Sequence, residues 1–181
     1  MGKFFGNRWW IVFASACGLS VGSGSINIYA FGVFLKPVTE DLHIGRGFFG
    51  SAVGIESLMT TIGTAILGFL LARFGTRRVM IPGLLLCACT LALHSTITAN
   101  ILWIYFLLGL NGLLFACQSP VPYANIVSHW FDRSRGLALG IAIAGVGLGV
   151  ALIPRLASFL IAELGWRQGY LGLAVAVLVI A

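Results

Sequence analysis

Charge is what this chain has least of. Aspartate and glutamate together number 5 and lysine plus arginine 11, so only 9% of its 181 residues are charged. A soluble domain carries about 25%, and with 59% hydrophobic residues this chain lacks the polar surface to stay in water. The formal charge of +6 does not point to nucleic acid. The basic residues sit in short clusters between apolar runs, as the loops of a lipid-embedded chain do. Cysteine is also scarce. Cys17, Cys87, Cys89 and Cys117 all fall inside apolar segments, and Cys87-x-Cys89 has neither zinc spacing nor a partner pair. No disulfide framework and no metal site are expected. Nothing in the chain sets a nucleophile beside a base or builds a phosphate-cradling loop, so no catalytic residues and no cofactor are expected, and an enzyme is not.

What the chain has in abundance is long apolar runs. A membrane-spanning helix needs about 20 apolar residues at about 1.5 Å each. The runs predict helices over 9–35, 48–71, 79–98, 101–127 and 136–162, with a sixth starting near Gln168. The first follows Lys3 and Arg8, but its apolar run is longer than the roughly 7–15 residues of a signal-peptide core. An uncleaved helix is the better reading. The sixth run has 14 residues from Gln168 to Ala181. That is about 21 Å of helix, short of a ~30 Å hydrocarbon core, so truncation inside this helix is expected.

The basic residues fix an expected orientation. One set of loops holds Lys3, Arg8, Arg73, Arg77, Arg78, Arg133 and Arg135; the opposite set holds Lys36, Arg46 and Arg167. The positive-inside rule puts the first set and the N-terminus in the cytoplasm, with a plasma (inner) membrane location. Trp9, Trp10, Trp103, Tyr105, Trp130 and Trp166 lie near predicted helix ends, where interfacial aromatics belong. The pairs Gly18/Gly22, Gly50/Gly54 and Gly145/Gly149 have the four-residue spacing that lets helix backbones approach closely within a bundle.

Polar groups inside the runs are costly, and so informative. Ser20, Ser23 and Asn27 share one face of the first helix, and Asn111, Gln118 and Asn125 recur every seven residues in the fourth. Two readings stand side by side: hydrogen bonding between helices, and lining of a water-filled substrate cavity. Tyr29 and Tyr123 have hydroxyls to add to such a cavity or rings to add to the core. Glu56 lies about 12 Å below the outer end of the second helix by helical rise. Its readings are proton coupling from an aqueous cavity, or a hydrogen-bonded structural glutamate. Arg155, after Pro154, either snorkels to the interface or contacts an anion. His94, near the outer end of the third helix, reads as a wetted interfacial histidine.

The one tightly basic stretch, Gly68-Phe-Leu-Leu-Ala-Arg-Phe-Gly-Thr-Arg-Arg78, resembles the loop 2–3 signature of the major facilitator superfamily, Gly-x-x-x-Asp-Arg-x-Gly-x-Arg-Arg. Gly68, Arg73, Gly75, Arg77 and Arg78 match, and Ala72 replaces the usual Asp. Tyr29-Ala-Phe-Gly-Val-Phe-Leu-Lys-Pro37, Trp130-Phe-Asp-Arg-Ser-Arg-Gly-Leu-Ala-Leu-Gly140 running on to Pro154, and Gly165-Trp-Arg-Gln-Gly-Tyr170 resemble its monocarboxylate-transporter and oxalate/formate-antiporter branch. That branch's Gly-Trp-Ser-Arg pattern departs here to Ile44-Gly45-Arg46.

The resemblance implies an all-α integral membrane fold, the six-helix N-terminal bundle of a twelve-helix transporter, with the C-terminal six-helix half as its missing partner. It implies alternating access around a midplane site, with helices 1, 2, 4 and 5 lining the cavity, and a small organic anion moved with protons or by exchange. Export of amphipathic compounds and a non-transporting receptor or scaffold are the competing readings. In the gating loop, Gly68 and Gly75 are expected to allow close packing and a turn. Because Ala72 cannot carry charge, a weaker cytoplasmic latch is expected.

Overall fold

The structure, a computed structural model, describes residues 8–22, 24–132 and 134–180, so Lys3, Ser23 and Arg133 lie outside the described residues. Eight α-helices are formed among them: α1 (Arg8–Ser20), α2 (Phe31–Asp41), α3 (Arg46–Phe74), α4 (Thr76–Leu93), α5 (Ile101–Phe115), α6 (Pro120–Trp130), α7 (Arg135–Leu164) and α8 (Trp166–Ile180). A π-helical segment, Gly24–Ala30, joins α1 to α2 in one long span, Arg8–Asp41. A 3-10 turn, Ala116–Gln118, interrupts the span Ile101–Trp130. With Gly47–Phe74, Thr76–Thr96 and Arg135–Leu164, five described helices are long and apolar enough to cross a membrane, and the shorter apolar α8 follows.

Local chemistry explains the ends and the breaks. Ser119 precedes Pro120, and the residue before a proline is pushed out of the helical region. Ser119 is extended at φ −67°, ψ 162°, and Pro120 restarts the helix at its first turn. Asn100 caps α5 by accepting from Leu102 N at 3.0 Å and Trp103 N at 3.4 Å. Gly75 (φ +81°, ψ 154°) and Gly165 (φ +85°, ψ 163°) each turn the chain between two helices in a single residue. Those angles are essentially reserved for glycine. The first span runs past Leu35, through Lys36 and Pro37, to Asp41. Lys36, Glu40 and Asp41 therefore lie within the helix, not beyond its end.

α3 packs along α5, α1 along α7, and α4 along α8. The first two contacts are backbone to backbone. A Cβ on Gly145 would strike the Ala16 backbone and one on Gly149 the Ser20 carbonyl; one on Gly112 would strike the Glu56 backbone. Without a hydrophobic drive between helices in lipid, such close packing is what holds a bundle together. The expectation for Gly50 and Gly54 is corrected: a Cβ at either meets nothing within 4 Å, and the same holds for Gly68. These glycines are exposed on faces of α3 turned away from α5.

Side chains close both ends of the bundle. At one, Trp9 packs edge-on against Phe131 with ring centroids 5.3 Å apart. At the other, Asp41 Oδ2 accepts from Arg167 at 2.9 Å and from Trp166 Nε1 at 3.1 Å, and the Arg167 guanidinium lies 4.1 Å over the Trp166 ring. Trp166, at the start of α8, is buried at that end of the bundle with its indole N–H committed to Asp41. Trp9, Trp10, Trp103 and Trp130 remain exposed.

Candidate functional site

In the middle of the bundle, three spans are tied by a short run of hydrogen bonds. Glu56 on α3 is only 3% exposed, and its Oε1 accepts from Asn111 Nδ2 on α5 at 2.8 Å. Asn111 Oδ1 in turn accepts from Thr90 Oγ1 on α4 at 3.1 Å. Thr90 Oγ1 also lies 2.9 Å from the Cys87 carbonyl, so its one hydroxyl proton serves both acceptors. The Thr90 carbonyl is 2.6 Å from His94 Nδ1. A carbonyl can only accept, so Nδ1 carries the proton. His94 is 1% exposed, and its Nε2 has no protein partner. The expectation of a wetted interfacial histidine is corrected: α8 covers His94, with the Tyr170 ring 5.2 Å away and stacked on Phe34 at 4.0 Å.

Two cavities meet at Glu56. The first is a small pocket of about 20 Å³ whose polar lining is Asn27, Glu56, His94, Asn111 and Tyr170. The second is a crevice of about 410 Å³ between the first span and α3, lined by Gly24, Asn27, Phe31, Glu56, Ser57 and Thr60, among others. Asn27 and Glu56 line both, and Glu56 is the one acidic residue lining either, among the described residues. Asn27 sits on the π-helical segment, an irregularity frequent at functional sites. A carboxyl held by an amide and bordering open space can exchange a proton with whatever enters the crevice.

The other expected site residues divide. Ser20 donates to its own helix, to Cys17 O at 2.7 Å. Tyr29 is 46% exposed and lines neither cavity. Asn111, Gln118 and Asn125 do not form one stripe. The 3-10 turn advances about 120° per residue against 100° for an α-helix, and extended Ser119 follows it. Asn111 therefore faces Glu56, Gln118 is buried with both amide atoms unpartnered, and Asn125 is exposed. Tyr123 packs into the core against Gly18, where a Cβ would lie 2.6 Å from its hydroxyl. It lines a different cavity, of about 530 Å³, with Trp10, Met80 and Arg77. Arg155 is exposed on α7 and lines none of the three cavities. Arg73, Arg77 and Arg78 are exposed around the Gly75 turn, with Arg73 5.4 Å from the centre of the Phe74 ring. Thr90 and Tyr170 belong to the site but were not anticipated. The four-residue spacing of Thr90 and His94, which puts both on one face of a helix, was the available signal.

Comparison with known proteins places this geometry. The model of the Major Facilitator Superfamily matches residues 17–181. Monocarboxylate transporter 3 of Gallus gallus is 32% identical over 146 residues, covering 78% of this chain and 26% of that protein. Riboflavin transporter RibJ of Trypanosoma brucei brucei is 36% identical over 103 residues, covering 57% and 19%. The uncharacterized MFS-type transporter YcxA of Bacillus subtilis is 28% identical over 171 residues, covering 92% and 41%. The chain thus spans between about a fifth and two fifths of the length of these relatives. They are transporters and not enzymes, and the all-helical, membrane-spanning architecture agrees with them. This chain belongs to the major facilitator superfamily.

Proposed function

We propose that the chain is the N-terminal six-helix half of a twelve-helix secondary transporter that moves a small organic anion of the monocarboxylate class by alternating access. The polar crevice between the first span and α3 is the observation that carries this reading. It sets Asn27, Glu56, Ser57 and Thr60 around open space beside apolar Ile28, Phe31 and Val53. The monocarboxylate transporter relatives support the substrate class. A C-terminal half supplies the opposite wall of the site, as rocking of two bundles around a midplane site requires.

In this reading Asn27 and the hydroxyls of Ser57 and Thr60 orient the anion. Glu56 takes and returns the coupling proton, and Ser20, Tyr29, Gln118, Tyr123 and Arg155, which do not line the crevice, come into play as the bundle changes state. The Gly75 turn with Arg73, Arg77 and Arg78 faces the cytoplasm and gates that side, in a plasma or bacterial inner membrane. A second reading is favoured by the RibJ similarity and by Phe31 in the crevice wall: a flat, aromatic, amphipathic substrate such as riboflavin.

The test is uptake of labelled lactate and of labelled riboflavin into proteoliposomes holding the chain together with its C-terminal half. Saturable lactate flux driven by an inward proton gradient supports the first reading. Saturable riboflavin flux without lactate flux replaces it with the second. Binding of either without flux leaves a receptor and rejects transport.

A further inference from the structure

All five polar residues around the small pocket carry titratable or amide groups, each from a different span, and one of them holds an orphaned atom. His94 is 99% buried by exposure, its Nδ1 proton is committed to the Thr90 carbonyl, and its buried Nε2 has no protein partner. With Nδ1 protonated, neutral His94 presents Nε2 as an acceptor. A buried acceptor left without a donor costs about 1–3 kcal/mol. The pocket that His94 lines with Glu56, Asn27, Asn111 and Tyr170 measures about 20 Å³. One water needs at least about 10–15 Å³ measured this way, and two to four polar partners. The space beside Nε2 therefore has room for one water.

We infer that a single internal water is held between His94 Nε2 and the Glu56 carboxyl, and that it makes these two residues one proton-sharing pair across α3 and α4. With Glu56 neutral, its carboxyl O–H donates to the water, which donates one hydrogen to Nε2 and accepts again from the Asn27 amide or the Tyr170 hydroxyl; after transfer the imidazolium Nε2–H donates to the water and the water donates to the carboxylate. Proton transfer conserves charge: as Glu56 gives up its proton to the water, the water gives one of its own to Nε2. The pair goes from neutral carboxyl and neutral imidazole to carboxylate and imidazolium, with Asn111 Nδ2 still donating to Glu56. A proton taken from the crevice at Glu56 is thereby stored on His94, beneath α8, while the carboxylate faces substrate.

The groups around the pair leave it little competition. α8 contributes Tyr170, α5 contributes Asn111 and the first span Asn27, the last two being neutral amides. Cys87 on α4 touches the network through its carbonyl. Asp41 and Arg167 form an ion pair. They are bonded to each other at the bundle end, and reach Tyr170 only through Trp166.

This inference rests on the proposed role of Glu56 in proton coupling, and its test separates the two. The carboxyl band of Glu56 is followed by infrared difference spectroscopy during a pH titration of the reconstituted protein, and assigned by its loss in Glu56→Gln. His94→Gln is expected to move the midpoint of that band by about one pH unit or more, as coupled sites require. A midpoint that stays within about 0.2 units overturns the pair, since so small a change means negligible interaction. Should His94→Gln fail to fold, the wild-type protein still decides. A water O–H stretch that shifts in heavy-oxygen water and titrates with the Glu56 band supports the bridge, and its absence overturns it. If the midpoint shift is seen while Glu56→Gln transports with unchanged pH dependence, the pair stands and only the coupling role falls.

Discussion

Replacing Asn111 by leucine tests the centre of the bundle. The substitution keeps the side chain's size but removes the donor to Glu56 Oε1 at 2.8 Å and the acceptor of Thr90 Oγ1 at 3.1 Å. Interhelical hydrogen bonds in membrane bundles average about 0.6 kcal/mol and reach about 1.7. Thr90 retains the Cys87 carbonyl as a partner, so its share of the loss is the smaller. Among the described residues, Glu56, 3% exposed, has no other donor to turn to within the protein. An orphaned buried polar group adds about 1–3 kcal/mol. Asn111→Leu is therefore expected to cost about 2–4 kcal/mol. Unfolding in mixed micelles of rising SDS fraction reads this directly. The double variant Asn111→Leu with Glu56→Leu removes both partners and is expected to recover to within about 1 kcal/mol of the parent, because paired apolar replacement leaves nothing unsatisfied. A single variant as stable as the parent, or a double variant that simply adds two losses, refutes the reasoning.

Three further outcomes follow from the packing and the turns. Gly149→Val is expected to abolish the α1–α7 contact and the yield of folded protein, because a Cβ there runs into the Ser20 carbonyl, while Gly50→Val is expected to fold normally with open space around it; monodispersity after extraction checks both. Gly75→Ala is expected to cost about 1–3 kcal/mol, the strain of a non-glycine residue at such angles, read by the same micelle titration. Ala72→Asp restores the acidic residue of the family signature next to Arg73, and is expected to shift the balance of inward- and outward-facing states in a cysteine-accessibility assay. No shift there removes the weak-latch reading.

Much of the architecture was legible because lipid imposes it. Long apolar runs, the Arg73–Arg78 cluster and single glycines between helices marked where spans begin and turn. Partnership between spans was not legible. Gly50/Gly54 and Gly145/Gly149 carry the same spacing, yet only the second pair meets another backbone. Spacing says which residues share a face but not what that face meets. Glu56 stood out because an acid in a span is expensive, whereas its partner Asn111 was grouped with Gln118 and Asn125 on the assumption of an unbroken helix. The Ser119-Pro120 step was visible and carries the reason for the break. The burial of His94 depends on where α8 lies, and no local pattern encodes that. Tyr170 comes to the site for the same reason, through a contact between segments far apart in the chain.

The most direct measurement is the pH-gradient dependence of labelled lactate uptake by proteoliposomes carrying the chain with its C-terminal half, compared with Glu56→Gln. The account predicts that an inward proton gradient accelerates uptake by the parent protein. It also predicts that Glu56→Gln removes that acceleration while exchange of lactate across both sides persists. Uptake by Glu56→Gln that responds to the gradient as the parent does would contradict it.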